Sequence, residues 1–280
     1  MNILLKKWAR DLPAVLGTLI IAVFIVVALF APWLAPFPGD ATAIHPELRL
    51  QAPNAQHWFG TDNLGRDILS RVILGTRAAL FSSLAVIGIA MLIGISLGLV
   101  AGYVDGWVSH AITGITDVFL AVPQLLLALA VATLVGSGRV SAMLALTLTY
   151  WPFFTRLVYS ETRRLRDALF IDALRGMGAG SARIVFAHIL PNLLSAVIVR
   201  ATIGLGLTIL VAASLGFLGV GAAPPDPDWG LAIAQSQNYL PRAWWFVTFP
   251  GLAILLTVLG FNLIGDGLRD LVDPRLRRSR

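Results

Sequence analysis

Apolar residues along this chain come in long unbroken runs rather than in alternation. Six stretches, at about 14–35, 80–102, 112–135, 141–158, 194–219 and 245–265, approach the roughly 20 residues a helix needs to cross a bilayer. None alternates with period two, which removes the short-stranded membrane barrel. Lipid offers backbone groups no partner, so each run is predicted to close its hydrogen bonds internally as a helix. The expectation is an all-α, polytopic membrane protein with six transmembrane helices. Within the second run Gly94, Gly98 and Gly102 recur every four residues. Small residues on one stripe let two helices approach closely. Gly94 and Gly98 therefore serve either tight packing or a helix flanking a moving pore.

Composition supports the membrane reading: 57% of the 280 residues are hydrophobic, 13% are charged, and mean hydropathy is +0.81. A soluble domain carries about 25% charged residues and could not cover its surface with half of them. The net charge of +6 raises nucleic acid as a partner. The basic residues, however, fall at the ends of apolar runs and not on one solvated face, which suits lipid headgroups and loop topology. No nucleic-acid partner is expected. With no cysteine, thiolate chemistry and disulfides are excluded.

Lys6, Lys7 and Arg10 precede the first run as they would in a signal peptide. The run is too long for one, and Pro32 and Pro36 follow the small residues Ala31 and Ala35, so an uncleaved first span is expected. Basic residues concentrate in the N-terminal tail, in the segment after the fourth run (Arg156, Arg163, Arg164, Arg166, Arg175, Arg183) and in the C-terminal tail (Arg269, Arg275, Arg277, Arg278, Arg280). Six spans put these three regions on one side, predicted to be the cytoplasm, with both termini there. The 36–79 and 220–244 segments face the other side. In the first of these, Asp40, Glu47, Asp62 and Asp67 offset its arginines.

Gly60-Thr61-Asp62-Asn63-Leu64-Gly65 opens like a phosphate-binding loop, but Arg66 and Asp67 stand where Lys and a hydroxyl residue are needed. Nucleotide binding there is rejected. The i,i+4 pairs Asp62–Arg66 and Asp67–Arg71, beside an apolar face of Leu64, Ile68 and Val72, predict an amphipathic surface helix instead. Residues 159–191 are too long for an ordinary connection. They read as a helix to Leu174, a turn at Gly176, Gly178 and Gly180, and a second helix ending near Pro191. Such a segment is either a projecting handle or a solvated basic loop. His45, His57, His110 and His188 lack metal-ligand spacing, and no Gly-x-Ser-x-Gly elbow occurs. The chain is not expected to be an enzyme or to bind a metal.

The stretch Asp172-Ala173-Leu174-Arg175-Gly176-Met177-Gly178, followed by Arg183-Ile184 and His188-Ile189-Leu190-Pro191-Asn192, resembles the EAA loop of permease subunits from binding-protein-dependent ABC importers. Asp172 replaces the Glu and Leu174 the second Ala; the glycine and Leu-Pro spacing are intact. His57-Trp58-Phe59-Gly60-Thr61-Asp62, Leu215-Gly216-Phe217-Leu218-Gly219, Trp229-Gly230, Trp244-Trp245, Phe249-Pro250-Gly251, Gly265-Asp266-Gly267 and Asp273-Pro274 are similar to the dipeptide, oligopeptide and nickel permeases, in order along nearly the whole chain. It resembles the second permease subunit, the one with an N-terminal extension, and the type I importer permease fold is implied.

That resemblance divides the chain into residues 1–79, with tail, first span and external loop, and 80–280, a five-helix core carrying the 159–191 coupling loop. It implies that Asp172, Ala173, Leu174, Arg175, Gly178, Arg183 and Pro191 dock on an ATPase. Ala173 and Gly178 would permit close approach, and Arg175 and Arg183 would meet carboxylates. Implied partners are a second permease subunit, two ATPase subunits holding ATP and Mg²⁺, an external solute-binding protein and the bilayer; no cofactor is expected on this chain. The implied location is the bacterial inner (cytoplasmic) membrane. Pro225 and Trp229 lie where such permeases face the binding protein, although Trp229 reads first as a packed loop residue and Trp244 and Trp245 as interfacial anchors. Asp117, near the cytoplasmic start of the third run, is either a solute or pore group or half of a pair with an arginine; Arg200 is placed to snorkel. Peptides lead as cargo, with nickel chelates, glutathione or opines open. An ion-gradient-driven transporter is the rival, with Asp117 as its one mid-run charge.

Overall fold

The computed structural model describes residues 7–39 and 41–272. Lys6, Asp40, Asp273, Pro274, Arg275, Arg277, Arg278 and Arg280 lie outside the described residues. Among the described residues nine helices carry the fold: α1 Leu12–Leu34, α2 Ile68–Tyr103, α3 Trp107–Ala121, α4 Gln124–Val135, α5 Arg139–Arg166, α6 Leu169–Gly176, α7 Ser181–Phe217, α8 Trp229–Ser236 and α9 Trp244–Val272. Three short 3-10 or π stretches accompany them, and the described residues include no strand, only one isolated bridge between Thr61 and Asp67.

Local chemistry sets several boundaries. Asp11, Asp67 and Asp228 each accept a backbone N–H from the first turn of the helix that follows. Val122 is extended because it precedes Pro123, and the apolar run at 112–135 is consequently broken into α3 and α4, bent by 95°. Pro191 has no N–H to give. The turn before it widens into a π stretch over Ile184–Ile189, where the Leu190 N–H reaches the Val185 carbonyl five residues back.

Among the described residues four helices, α1, α2, α7 and α9, are long and apolar enough to span a membrane, and the α3–α4 pair makes five if counted as one broken span. The count of six expected from the sequence is therefore not reached by length and apolarity alone. The missing member is α5, which contains the expected 141–158 run and is 28 residues long. Thr147, Thr149, Tyr150, Trp151, Pro152 and Thr155 dilute its apolarity. The threonine hydroxyls return their hydrogen bonds to Met143, Leu146 and Trp151 carbonyls, at 2.8, 3.1 and 3.2 Å. Much of this helix is wrapped by protein, so lipid sets less of its composition.

Helix α5 lies parallel to α2. A Cβ on Gly94 would collide with Phe154 Cβ, and one on Gly98 or Gly102 would lie 2.6 Å from Val158 or Thr162 Cβ. The glycine stripe is thus a seam between two helices of one chain. Helix α1 runs against α9, where a Cβ on Gly17 would lie 2.6 Å from Leu263 Cβ. Tyr150, Phe154, Val158, Leu193 and Val197 fill the main core between α2, α5 and α7. The starts of α2, α5 and α9 share one end of the bundle. The starts of α1 and α3, the ends of α2, α5 and α9, and the 167–190 segment share the other.

Candidate functional site

The 167–190 segment is a folded handle, not a solvated loop. Asp167 ends α5, and α6 crosses the bundle end with Ile171 fully buried and Leu174 half-buried against the main core. Ile184 and Ile189, also buried, root the return helix in the same core. Between them, Gly178 (φ +83°) makes the left-handed turn of a Schellman cap: Ala179 N–H reaches the Leu174 carbonyl at 3.0 Å and Gly178 N–H the Arg175 carbonyl at 2.9 Å. A side chain at Gly178 would meet open space, so its requirement is conformational.

The outer face of this handle is apolar and basic. Leu169 and Met177 are 87% and 75% exposed, and Phe170 and Phe186 are exposed beside them. Asp172, Ala173, Arg175, Gly178, Arg183 and Pro191 are also exposed. Arg175 binds Asp172 at 2.9 Å, satisfying within the chain the two charges that the sequence assigns to a partner; Arg183 has no ion pair among the described residues. The exposed apolar side chains are what reading the motif missed. Leu169, Ala173 and Met177 recur at four-residue spacing opposite Ile171 and Leu174, a signal that was available.

Three ion pairs tie α5 to the α2–α3 turn and to α3 behind the handle. Arg166 meets Asp105 at 2.9 Å, Arg163 meets Asp105 at 3.5 Å and Arg156 meets Asp117 at 3.3 Å. The Arg166 hydrogen bond holds the Asp105 carboxyl below the ordinary range. Asp117 is half-exposed and paired with an arginine, and Gly94 and Gly98 are occupied with the α5 seam. Arg200 lies over Phe153, 4.9 Å from the ring centroid.

The opposite end is capped by a buried charge lattice, where the sequence predicts a surface helix. Residues 61–67 form a turn, and α2 begins only at Ile68. Arg66, Asp62 and Asp67 are 0–1% exposed. Asp62 takes Arg66 Nε at 2.6 Å and lies 3.6 Å from Arg71 Nε. Asp67 does not pair with Arg71; it takes the Ser70 N–H and hydroxyl, both at 2.7 Å, and faces His57 Nδ1 at 2.9 Å. The i,i+4 spacing is real for Asp62–Arg66, but a turn also brings such residues together. Gly65 (φ +78°) supplies that turn, and any side chain there would strike the His45 carbonyl.

The lattice reaches across the fold. Arg66 donates to Gln235 Oε1 at 3.1 Å, and Arg71 donates to the Pro225 and Asp226 carbonyls at 3.2 and 3.1 Å. Trp229, 3% exposed, donates to the Val72 carbonyl at 3.1 Å. Trp245, read from the sequence as an anchor, is buried and donates to the Thr61 carbonyl at 3.2 Å, whereas Trp244 is exposed. Pro225 is exposed. Burial pushes the Asp228 carboxyl up, against the hydrogen bond it takes from the Leu231 N–H. No group of three or more His, Asp or Glu suited to a metal occurs among the described residues.

Residues 94–278 match the family described as binding-protein-dependent transport system inner membrane component, and residues 4–53 match the N-terminal TM domain of oligopeptide transport permease C. The chain is 44% identical over 272 residues to the dipeptide transport system permease protein DppC of Alkalihalophilus pseudofirmus, covering 97% of this chain and 89% of that one. It is 40% identical to the glutathione transport system permease protein GsiD of Pectobacterium atrosepticum, over 97% and 90% of the two chains. Among solved structures, an inward-facing conformation of the MetNI methionine ABC transporter aligns with TM-score 0.57 at 23% identity, over 71% of this chain and 95% of that one.

Proposed function

Since the chain belongs to the family of binding-protein-dependent transport system inner membrane components, a multi-pass inner-membrane permease group, we propose that it forms half of the path through which an ATP-driven importer moves small peptides or similar solutes. The handle faces the cytoplasm with both termini. A second permease subunit completes the path, two ATPase subunits hold ATP and Mg²⁺, and an external binding protein delivers the solute. The chain itself performs no covalent chemistry.

The observation that carries this reading is the handle, whose inner side is sunk in the bundle core through Ile171, Ile184 and Ile189 while its outer side leaves Leu169, Phe170, Met177 and Phe186 in solvent. An apolar patch on a rigid projection is a docking surface. A push on it would be passed to α5 and α7, because the segment is continuous with both. ATP binding favours one arrangement of the ATPases, and that bias is what shifts the bundle between its states. Asp172, Ala173, Leu174, Arg175, Gly178, Arg183 and Pro191 shape or flank this surface.

Cargo is read from the relatives: dipeptide and glutathione systems share a small solute with an amide backbone and free carboxylates. The test is reconstitution in proteoliposomes with the second permease, the ATPases and the binding protein, supplied with a mixed pool of di- to pentapeptides. ATP-dependent accumulation by the complete assembly, and none by the chain alone under an ion gradient, is expected. Uptake by the lone chain would overturn the assignment.

A further inference from the structure

Beside the cap, an open groove of about 430 Å³ lies between α2, the start of α5 and the loop before α8, lined by Leu74, Arg77, Phe81, Ser82, Arg139 and Pro227. It adjoins a narrower chamber of about 50 Å³ that also touches Ser82 and Arg139 and is lined deeper by Thr208, Asp228 and Trp229. Three features here are unused by the coupling account. Arg77 has no ion pair or hydrogen bond among the described residues and rests 6.0 Å from the Phe81 ring centroid. Thr208 is 1% exposed, and its hydroxyl in the chamber has no hydrogen-bond partner. Arg139 already holds a carboxylate, that of Asp226, at 3.2 Å.

We propose that this groove is an oxyanion site in the permease itself, taking a carboxylate of the arriving solute on Arg139 and Arg77 with the Thr208 hydroxyl at its inner end. The inference rests on the importer reading above. The two arginines that line the groove outnumber Asp226, while Asp228 lies in the chamber lining with its carboxylate taking the Leu231 N–H, and a guanidinium binds a carboxylate through paired N–H donors. Asp226 shows that a carboxylate fits Arg139. It is also a weak competitor: with Arg139 34% and Asp226 52% exposed, their pair is the kind worth little in water. A solute carboxylate that also reached Arg77 would displace it. Ser82 and Phe81 then line the space left for the rest of the molecule.

The test uses the complete permease–ATPase complex without binding protein, in phosphatidylcholine nanodiscs, titrated calorimetrically with L-alanyl-L-alanine and with its C-terminal amide. The free acid should bind about tenfold or more tightly than the amide, as expected for loss of a charge-assisted pair. Arg77→Gln and Arg139→Gln should each erase most of that preference without lowering the thermal midpoint. Asp226→Asn should tighten acid binding about two- to fivefold by removing the competitor, an outcome no misfolded variant would give. Equal binding of acid and amide, no binding, retained preference in both glutamine variants, or weaker binding in Asp226→Asn would overturn the site. Glycerol 3-phosphate binding without acid binding would assign the groove to lipid headgroups and overturn it too. Peptide-pool uptake by a wild-type complex that fails the titration overturns this site alone, whereas absence of uptake from wild type overturns the importer reading with it.

Discussion

At one end of the bundle Asp62, Arg66, Asp67 and Arg71 are withdrawn from water, Asp62 with the two arginines and Asp67 with Ser70 and His57; at the other, Asp172, Arg175 and Arg183 stand in solvent beside Leu169 and Met177. The two ends use similar residues for opposite ends. Buried charges are costly to separate, so the cap fixes the positions of α2, α8 and the start of α9 relative to one another. Exposed charges and apolar groups contribute little to folding, so the handle is free to spend its surface on a partner. The contrast suits a machine that is held at one face and driven from the other.

The sharpest way to break the comparison is to remove one member of the lattice. Arg66→Ala leaves Asp62 buried with only the more distant Arg71 as counter-charge, and should cost about 3–5 kcal/mol. A large fall in thermal midpoint in detergent, or failure to recover folded protein, is expected; an unchanged midpoint would refute the locked cap. Next comes the seam that joins the two ends. Gly98→Ala forces a methyl against Val158 and should cost about 1–3 kcal/mol, measured by the same melt.

Gly178→Ala is the intermediate case. With open space around the position, the cost is the left-handed backbone alone, about 1–2 kcal/mol, confined to the handle. Hydrogen exchange should rise at residues 174–180 and stay unchanged at residues 61–67. The smallest effect belongs to Asp105. Its depressed carboxyl contributes stability that is fully present above the ordinary carboxylate pKa and is lost as pH falls through the lower folded value. Asp105→Asn should therefore melt slightly below wild type at pH 7, with the gap closing toward acid pH.

The same contrast governs what could be read from the sequence. Apolar runs announced α1, α2, α7 and α9, and the four-residue glycine stripe announced a closely approached face of α2 without naming α5 as its partner, because lipid and close packing leave periodic signatures. The handle was legible as helix, glycine turn, helix, but not the break at Asp167–Ala168 that divides the expected helix to Leu174 into the end of α5 and a separate α6. The cap was not. The sequence places residues 36–79 in an external segment, and within it Ser70, Arg71 and Thr76 are buried. A buried ion lattice depends on contacts such as Arg66–Gln235, 169 residues apart, for which local spacing holds no trace. Trp245 looked like an anchor for the same reason: its partner, the Thr61 carbonyl, is remote in sequence.

In the proposed mechanism the outer face of the handle takes up ATP-driven work, and its buried side passes that work to α5 and α7. Leu169→Asp combined with Met177→Asp alters side chains that are 87% and 75% exposed, so the thermal midpoint should stay within the range of surface substitutions, about 0.5 kcal/mol each. In proteoliposomes containing the complete assembly, ATP-dependent peptide uptake by this double variant should fall to background while insertion and pairing with the second permease persist. Uptake at the wild-type rate with both charges in place would contradict the account.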